Sequence, residues 1–149
     1  MGVPGLVVAE VDLHEVDARF DEAPRKVHRG VAYWSDGRDA RIVVVTPGFQ
    51  LVALDAKTGK LLWTVQTLPA QGYHTITGAP RTFNGKVIIG QGGADIGMRG
   101  FVSAYDQKTG NQIWRFYTVP GSPEQNKGDP VMERAAATWN GEYWKTGTG

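Results

Sequence analysis

The sequence predicts an all-β fold, and two observations carry that prediction. Twenty glycines among 149 residues separate short apolar runs rich in Val, Ile, Trp and Tyr, which are typical of strands. Three dipeptides that tolerate the positive φ of a tight turn lie between such runs: Asp36-Gly37, Asn84-Gly85 and Asn140-Gly141. Each is expected to join two antiparallel strands.

One short helix is predicted among the strands, from Pro130 to Thr138. Asp129 precedes it, with a side chain that can accept hydrogen bonds from the first free backbone N–H groups of the helix. Pro130 suits the first helical position, and the Val-Met-Glu-Arg-Ala-Ala-Ala run that follows has good helix propensity. The helix is therefore expected as an insertion in a β fold.

An internal repeat organises the predicted strands. The pattern Asp-x-Lys-Thr-Gly followed by Trp runs from Asp55 to Trp63 and again, 51 residues later, from Asp106 to Trp114. Upstream strands also align, with Arg41 matching Lys86 at an offset of 45 residues. Each unit reads as four short antiparallel strands, and recurrence at about 50 residues is typical of propeller blades. The sequence thus predicts a partial β-propeller of about two four-stranded blades plus the short helix.

The blades are expected at about residues 31–66 and 78–117, inside an incomplete propeller domain of residues 29–149 that follows an irregular N-terminal segment of residues 1–28. Within the repeat the Asp can accept hydrogen bonds from the turn backbone, and the Gly can take the left-handed conformation. The Trp can fill the space between neighbouring blades, so Trp63 and Trp114 are expected to be buried at equivalent positions.

The second predicted blade carries six extra residues between its second and third strands, because the two offsets differ by six. The excess is the glycine-rich segment Gly92 to Gly100, which also holds the carboxylate of Asp95 and the guanidinium of Arg99. Glycine allows a ligand to approach the backbone closely, so this segment is a candidate ligand site. A longer surface hairpin explains the spacing equally well.

Composition excludes several classes of function. The formal net charge of +1 comes from 16 basic and 15 acidic residues spread along the chain, so no polybasic tract is present to bind nucleic acid or an anionic membrane. The chain has no cysteine and no apolar run long enough to span a membrane, and no secretory signal is recognisable at its start. Three histidines lack metal-ligand spacing among themselves: His14, His28 and His74.

From about Arg29 to Gly149 the chain resembles the first blades of alcohol dehydrogenases that depend on pyrroloquinoline quinone (PQQ), the quinoprotein β-propellers. The Asp-x-Lys-Thr-Gly repeat is shared with scaffold propellers, including those that assist outer-membrane protein assembly. Three motifs are more specific and occur here in the family's order: Ile-Thr-Gly-Ala-Pro at Ile76–Pro80, Gly-Ala followed by an acidic residue at Gly93–Asp95, and Arg-Phe-Tyr-Thr-Val-Pro-Gly at Arg115–Gly121. Further matches lie on both sides of them, at Arg29–Trp34 and Trp139–Lys145.

The resemblance implies a cofactor site. In the family an Arg pairs with a carboxylate of PQQ, a Thr hydroxyl binds the quinone, a Gly-Gly-Ala stretch lines the cofactor, and an acidic residue binds Ca²⁺. The matching residues are Arg29, Thr77, the stretch Gly92, Gly93 and Ala94, and the metal ligand Asp95. Most members have Glu where this chain has Asp95, and many have adjacent cysteines at the positions of Ala23 and Pro24.

As a functional expectation, the chain is an N-terminal fragment of a PQQ- and Ca²⁺-dependent dehydrogenase that oxidises alcohols or aldoses, with a cytochrome as electron acceptor. The family is periplasmic, which is the expected location. The family's catalytic base and remaining metal ligands match positions beyond Gly149, so no catalytic residue is assigned and the fragment is expected to be inactive alone. Exposed blade faces suggest self-association. The alternative is a non-catalytic propeller scaffold or a degenerate fragment.

Overall fold

The computed structural model describes residues 16–17, 29–69, 74–92 and 97–146. Within these ranges eight strands form two four-stranded antiparallel sheets, each with its strands in chain order. Sheet 1 contains β1 (Ala32–Ser35), β2 (Ala40–Val45), β3 (Gln50–Asp55) and β4 (Leu61–Gln66). Sheet 2 contains β5 (Arg81–Phe83), β6 (Lys86–Gln91), β7 (Phe101–Asp106) and β8 (Gln112–Tyr117). The two predicted blades are confirmed.

Strand register confirms the repeat at the level of residue pairs. Trp63 lies opposite Ala53 in sheet 1, and Trp114 lies opposite Ala104 in sheet 2. The register then shifts immediately after each Ala, so both blades carry the same irregularity at the same place. Because both partner alanines are fully buried, each indole lies over a position that offers only a methyl group.

The two Asp-x-Lys-Thr-Gly segments form equivalent turns. The Oδ1 atom of Asp55 accepts hydrogen bonds from the backbone N–H groups of Lys57 and Thr58 and from the Thr58 hydroxyl, at 3.0, 2.8 and 2.8 Å. Asp106 accepts the same three bonds in its turn, at 2.9, 2.8 and 3.0 Å. The final glycines have φ of 72° and 77°, the left-handed conformation that favours glycine. The predicted equivalence is confirmed.

Two of the three predicted hairpin dipeptides join strands. Asn84-Gly85 connects β5 to β6 as a two-residue turn with φ of 45° and 70°, and Asp36-Gly37 lies in the connection between β1 and β2. The prediction for Asn140-Gly141 was wrong, because a helix follows it. Gly141 has the expected positive φ of 66°, so the dipeptide makes a tight turn whose flanking segments do not pair as strands. A turn signal specifies local geometry and not the pairing partner.

The main core lies between the two sheets. Buried side chains from sheet 1, among them Val43, Leu51 and Ala53, pack with Val87 and Tyr105 of sheet 2. Each blade therefore buries one face against its neighbour, as expected of short sheets that cannot cover their own apolar surface.

Trp63 contacts the second blade through a hydrogen bond and through packing of its ring. Its indole Nε1 donates a hydrogen bond to the backbone carbonyl of Gln107 at 3.1 Å. The ring lies against Gly110, where an added Cβ would come within 2.8 Å of the indole Cε3. Trp63 is half-buried, so the prediction that both tryptophans are buried holds only in part for it. Trp114 has no such neighbour among the described residues and is 40% exposed, so the prediction was wrong for the second tryptophan. In the described residues sheet 2 has no blade beyond it to receive this indole.

Short helices follow the second blade. The predicted helix is present as α2 (Pro130–Ala136), two residues shorter than expected, and the Asp129 carboxylate accepts hydrogen bonds from two backbone N–H groups of its first turn. Two further one-turn helices, α1 (Pro123–Asn126) and α3 (Tyr143–Thr146), were not predicted. None of the described helices is long and apolar enough to cross a membrane.

The outer face of sheet 1 is partly covered by the segment that contains Val16 and Asp17. Val16 packs against a second cluster of buried residues that includes Val44, Val52 and Leu54. The buried carboxylate of Asp17 accepts hydrogen bonds from the Thr46 hydroxyl and the Gly48 backbone N–H. Part of the N-terminal segment thus packs on the first blade.

Candidate functional site

Three of the sequence-predicted cofactor residues lie on neighbouring backbone segments. The backbone N–H of Arg29 donates to the carbonyl of Thr77 at 3.2 Å. The N–H of Gly92 donates to the carbonyl of Thr75 at 3.2 Å, within an isolated antiparallel bridge between these two residues. The segment around Thr75–Thr77 therefore joins the start of the first blade to the glycine-rich insertion of the second.

Side chains at this junction are accessible for binding. Arg29 is exposed, and its guanidinium makes no ion pair with any described residue. Thr77 is half-buried, and its hydroxyl makes no hydrogen bond within the described part of the chain. Gly92 is exposed, and a Cβ placed on it would meet the Thr75 hydroxyl oxygen at an ordinary 3.5 Å. The guanidinium of Arg29, the hydroxyl of Thr77 and the backbone at Gly92 are thus accessible to a ligand.

The remaining predicted site residues, Gly93, Ala94 and Asp95, lie outside the described residues. The meeting of Asp95 with Arg29 and Thr77 therefore stays a prediction. Among the described residues no group of three or more His, Asp or Glu side chains is placed to hold a metal ion.

His74 is a residue at this junction to which sequence reasoning assigned no role. It directly precedes Thr75, and its ring contacts the Phe49 ring edge to face, with the ring centroids 6.2 Å apart. The ring nitrogen Nδ1 is buried and has no hydrogen-bond partner among the described residues. A buried polar atom without a partner is uncommon and can mark a binding position. No spacing signal in the sequence distinguishes His74.

Arg99, at the far end of the insertion, is held by protein contacts. Its Nε donates to the backbone carbonyl of Val119 at 2.8 Å, and the guanidinium stacks over the Tyr117 ring at 3.8 Å from its centroid. An Nη2 atom also approaches the Asn126 amide oxygen at 3.4 Å. Burial lowers the pKa of Arg99, although an arginine remains protonated at neutral pH. The guanidinium of Arg99, which the sequence analysis placed in the candidate ligand segment, therefore holds the insertion against the segment after β8.

Comparison with known proteins identifies the family to which this fold belongs. The family described as PQQ-containing glucose, ethanol and alcohol dehydrogenase, β-propeller domain, matches residues 11–148. The chain belongs to this quinoprotein dehydrogenase family.

Individual relatives agree with the assignment. Quinohemoprotein alcohol dehydrogenase ADH IIB of Pseudomonas putida is 54% identical over 124 residues, which cover 83% of this chain and 17% of the relative. The crystal structure of quinohemoprotein alcohol dehydrogenase from Comamonas testosteroni superimposes with a TM-score of 0.72 at 48% identity, covering 83% of this chain and 18% of that one. A europium-containing methanol dehydrogenase gives a TM-score of 0.57 at 41% identity, covering 66% of this chain and 16% of that one.

The chain thus spans about a sixth of the length of these relatives. Its two blades match β-propeller dehydrogenases, and the junction of Arg29, Thr77 and Gly92 lies within the quinoprotein portion.

Proposed function

We propose that this chain forms the first blades of a PQQ-dependent dehydrogenase that oxidises alcohols, and that the Arg29–Thr77–Gly92 junction is part of its cofactor site. The observation that carries the proposal is the pair of backbone hydrogen bonds that joins these segments, Arg29 to Thr77 and Gly92 to Thr75. The family's alcohol dehydrogenases support the substrate class. Aldoses are a second substrate class to test.

The chemistry of the junction fits PQQ, a small planar molecule with carboxylate and quinone oxygens. The planar guanidinium of Arg29 can bind a carboxylate through two parallel hydrogen bonds. The Thr77 hydroxyl can donate to a quinone oxygen, and Gly92 lets the ring system approach the backbone. Bound PQQ supplies an ortho-quinone that takes two electrons from an alcohol. The protein residues named here bind and orient it.

Asp95 is proposed as a metal ligand beside the cofactor. Carboxylate oxygens suit hard cations such as Ca²⁺, which takes six to eight oxygen ligands, so Asp95 would supply only part of a site. The name of one structural relative includes europium, so a trivalent lanthanide is a second ion to compare. The whole enzyme is proposed to work in the periplasm with a cytochrome as electron acceptor, whereas this chain alone is proposed to be inactive.

A chimaera tests the proposal directly. The matching part of the Comamonas testosteroni enzyme, which is 48% identical to this chain, is replaced by this chain, and alcohol oxidation is measured with PQQ and either Ca²⁺ or Eu³⁺. We expect turnover in the chimaera and its loss in the Asp95→Ala variant. A well-folded chimaera that binds no PQQ would contradict the proposal and favour a non-catalytic scaffold.

A further inference from the structure

A cluster of buried polar atoms lies in the joint between the two blades, beside the Asp106–Gly110 turn. Gln107 is fully buried, and neither the oxygen nor the nitrogen of its side-chain amide has a hydrogen-bond partner in the described part of the chain. The Nε atom of Arg41, a residue that is 9% exposed, is also buried and unpartnered there. Buried polar groups are normally satisfied by protein or by ordered water, so this cluster indicates a partner other than the protein.

Hydrogen bonds place Arg41 and Gln107 in the same joint. The Nη1 atom of Arg41 donates to the backbone carbonyl of Gln107 at 2.7 Å and to that of Lys108 at 2.9 Å. The Gln107 carbonyl also accepts the indole N–H of Trp63 at 3.1 Å, so neither of its lone pairs is left for a further donor. The backbone of the turn therefore satisfies Nη1 of the guanidinium and leaves Nε without an acceptor.

Rotating the amide of Gln107 by half a turn does not satisfy it. The rotation exchanges Oε1 and Nε2, and because both atoms lack a partner, either orientation leaves an acceptor and a donor group unsatisfied. In the first blade Ala56 holds the equivalent position, where its N–H donates to the Ala40 carbonyl as that of Gln107 donates to the Gly85 carbonyl, at 2.9 Å in both blades. The buried amide is thus a feature of Gln107 and not of the repeat.

We propose that an ordered water molecule occupies this joint, where it donates a hydrogen bond to Oε1 of Gln107 and accepts hydrogen bonds from Nε2 of Gln107 and Nε of Arg41. A buried water makes about three hydrogen bonds, which matches the three unpartnered atoms. An anion could accept from both nitrogens but could not donate to Oε1, and a cation would meet the positive charge of Arg41. The site needs neither PQQ nor dehydrogenase activity and goes beyond the proposed function.

Gln107→Met tests whether the amide is satisfied, because methionine is apolar, unbranched and adaptable in shape. If water bonds the amide, the substitution removes those bonds and takes one partner from the water, so the urea midpoint of unfolding falls. If the amide has no partner at all, methionine removes a desolvation penalty and the midpoint rises. Gln112→Met makes the same change at an exposed position of β8 and is the matched control, with a midpoint close to that of wild type. A midpoint for Gln107→Met at or above that of the control would contradict the proposed water.

A crystal structure of the chain grown in sodium bromide distinguishes water from an anion. The expected result is density for one water within hydrogen-bond distance of the Gln107 amide and of Nε of Arg41, with no anomalous signal from bromine. Bromine signal at the joint, or a joint without density for any bound molecule, would overturn the proposal.

Nuclear magnetic resonance gives a second direct measurement in solution. The side-chain amide protons of Gln107 are assigned by their loss in Gln107→Met, and a nuclear Overhauser effect from water to these protons, with the sign of a long-lived contact, is expected. The exposed side-chain amide of Gln112 is the control and is expected to show only the effect of rapidly exchanging solvent. The same weak effect at both amides would show that no water is bound at Gln107.

Discussion

Trp63 and Arg41 of the first blade donate hydrogen bonds to the same backbone carbonyl of the second, that of Gln107, at 3.1 and 2.7 Å. Both lone pairs of this oxygen are thereby used, and Gln107 is fully buried. Arg41 also donates to the carbonyl of Lys108 at 2.9 Å. The Asp106–Gly110 turn is therefore a point at which several hydrogen bonds join the two blades.

Gly110→Ala is expected to destabilise the chain more than Gly85→Ala. Both glycines have positive φ, 77° and 70°, so both substitutions cost about 1–2 kcal/mol of backbone strain. Only Gly110 faces Trp63, where the new Cβ would lie 2.8 Å from the indole, and crowding of this kind costs a further 1–3 kcal/mol, roughly. Urea denaturation of both variants gives the difference in the free energy of unfolding, and equal losses would contradict the role of Gly110 in docking.

Stability is expected to fall as the pH drops from about 4 towards 2, and Asp36 contributes to that fall. Hydrogen bonds from the backbone N–H groups of Asp39 and Arg38 lower the pKa of Asp36 to about 2, with a smaller contribution from Lys108 of the other blade. A carboxylate with a lowered folded-state pKa stabilises the fold above its unfolded pKa, and this contribution disappears as pH falls through the folded pKa.

The expected result is that Asp36→Asn reduces the dependence of Tm on pH between about 5 and 2 without abolishing it, because hydrogen bonds within the two repeat turns also lower the pKa of Asp55 and of Asp106. Lys108→Met is expected to leave most of the Asp36 contribution in place. The 3.2 Å ion pair between Asp36 and Lys108 is exposed. It lowers the pKa of Asp36 less than the two backbone N–H donors do. Thermal unfolding followed by circular dichroism at a series of pH values distinguishes the two. A reduction for Lys108→Met as large as that for Asp36→Asn would assign the effect to the ion pair instead.

Thr77→Val is expected to leave stability unchanged within about 0.5 kcal/mol, since its hydroxyl makes no hydrogen bond among the described residues. If that hydroxyl binds the quinone, its loss weakens PQQ affinity by roughly tenfold. Quenching of tryptophan fluorescence by PQQ measures affinity, and chemical denaturation measures stability. Loss of stability without loss of affinity would show that Thr77 has a structural role only.

The isolated chain with PQQ, Ca²⁺, an alcohol and an artificial electron acceptor is expected to show no dehydrogenase turnover. Removing a proton from an alcohol needs a base within hydrogen-bond reach, and Ca²⁺ needs several oxygen ligands besides Asp95. Dye reduction followed by absorbance is the measurement. PQQ-dependent oxidation that is lost in Asp95→Ala would show that copies of the chain assemble a complete site.

Much of the fold could be predicted because its determinants are local. The Asp, Thr and Gly of each repeat make a turn whose hydrogen bonds span only two to four residues, so spacing alone identified Asp55 and Asp106 as equivalent. The Asn84-Gly85 turn and the Asp129 cap are local in the same way. The alternation of side chains along the strands then predicted which residues pair, because the register of a hairpin follows once its turn is placed.

Contacts between residues distant in sequence decided the features of the fold and of the candidate site that the sequence did not predict. The repeat places an indole at Trp63 and at Trp114 alike, yet only the first is covered, because burial requires another blade at that face. Asn140-Gly141 turns the chain but leads into a helix, since a turn does not specify what its flanks pair with. The neighbourhood of Arg29 and Thr77 depends on a hydrogen bond between residues 48 positions apart, which only the packing of one blade against the next brings together.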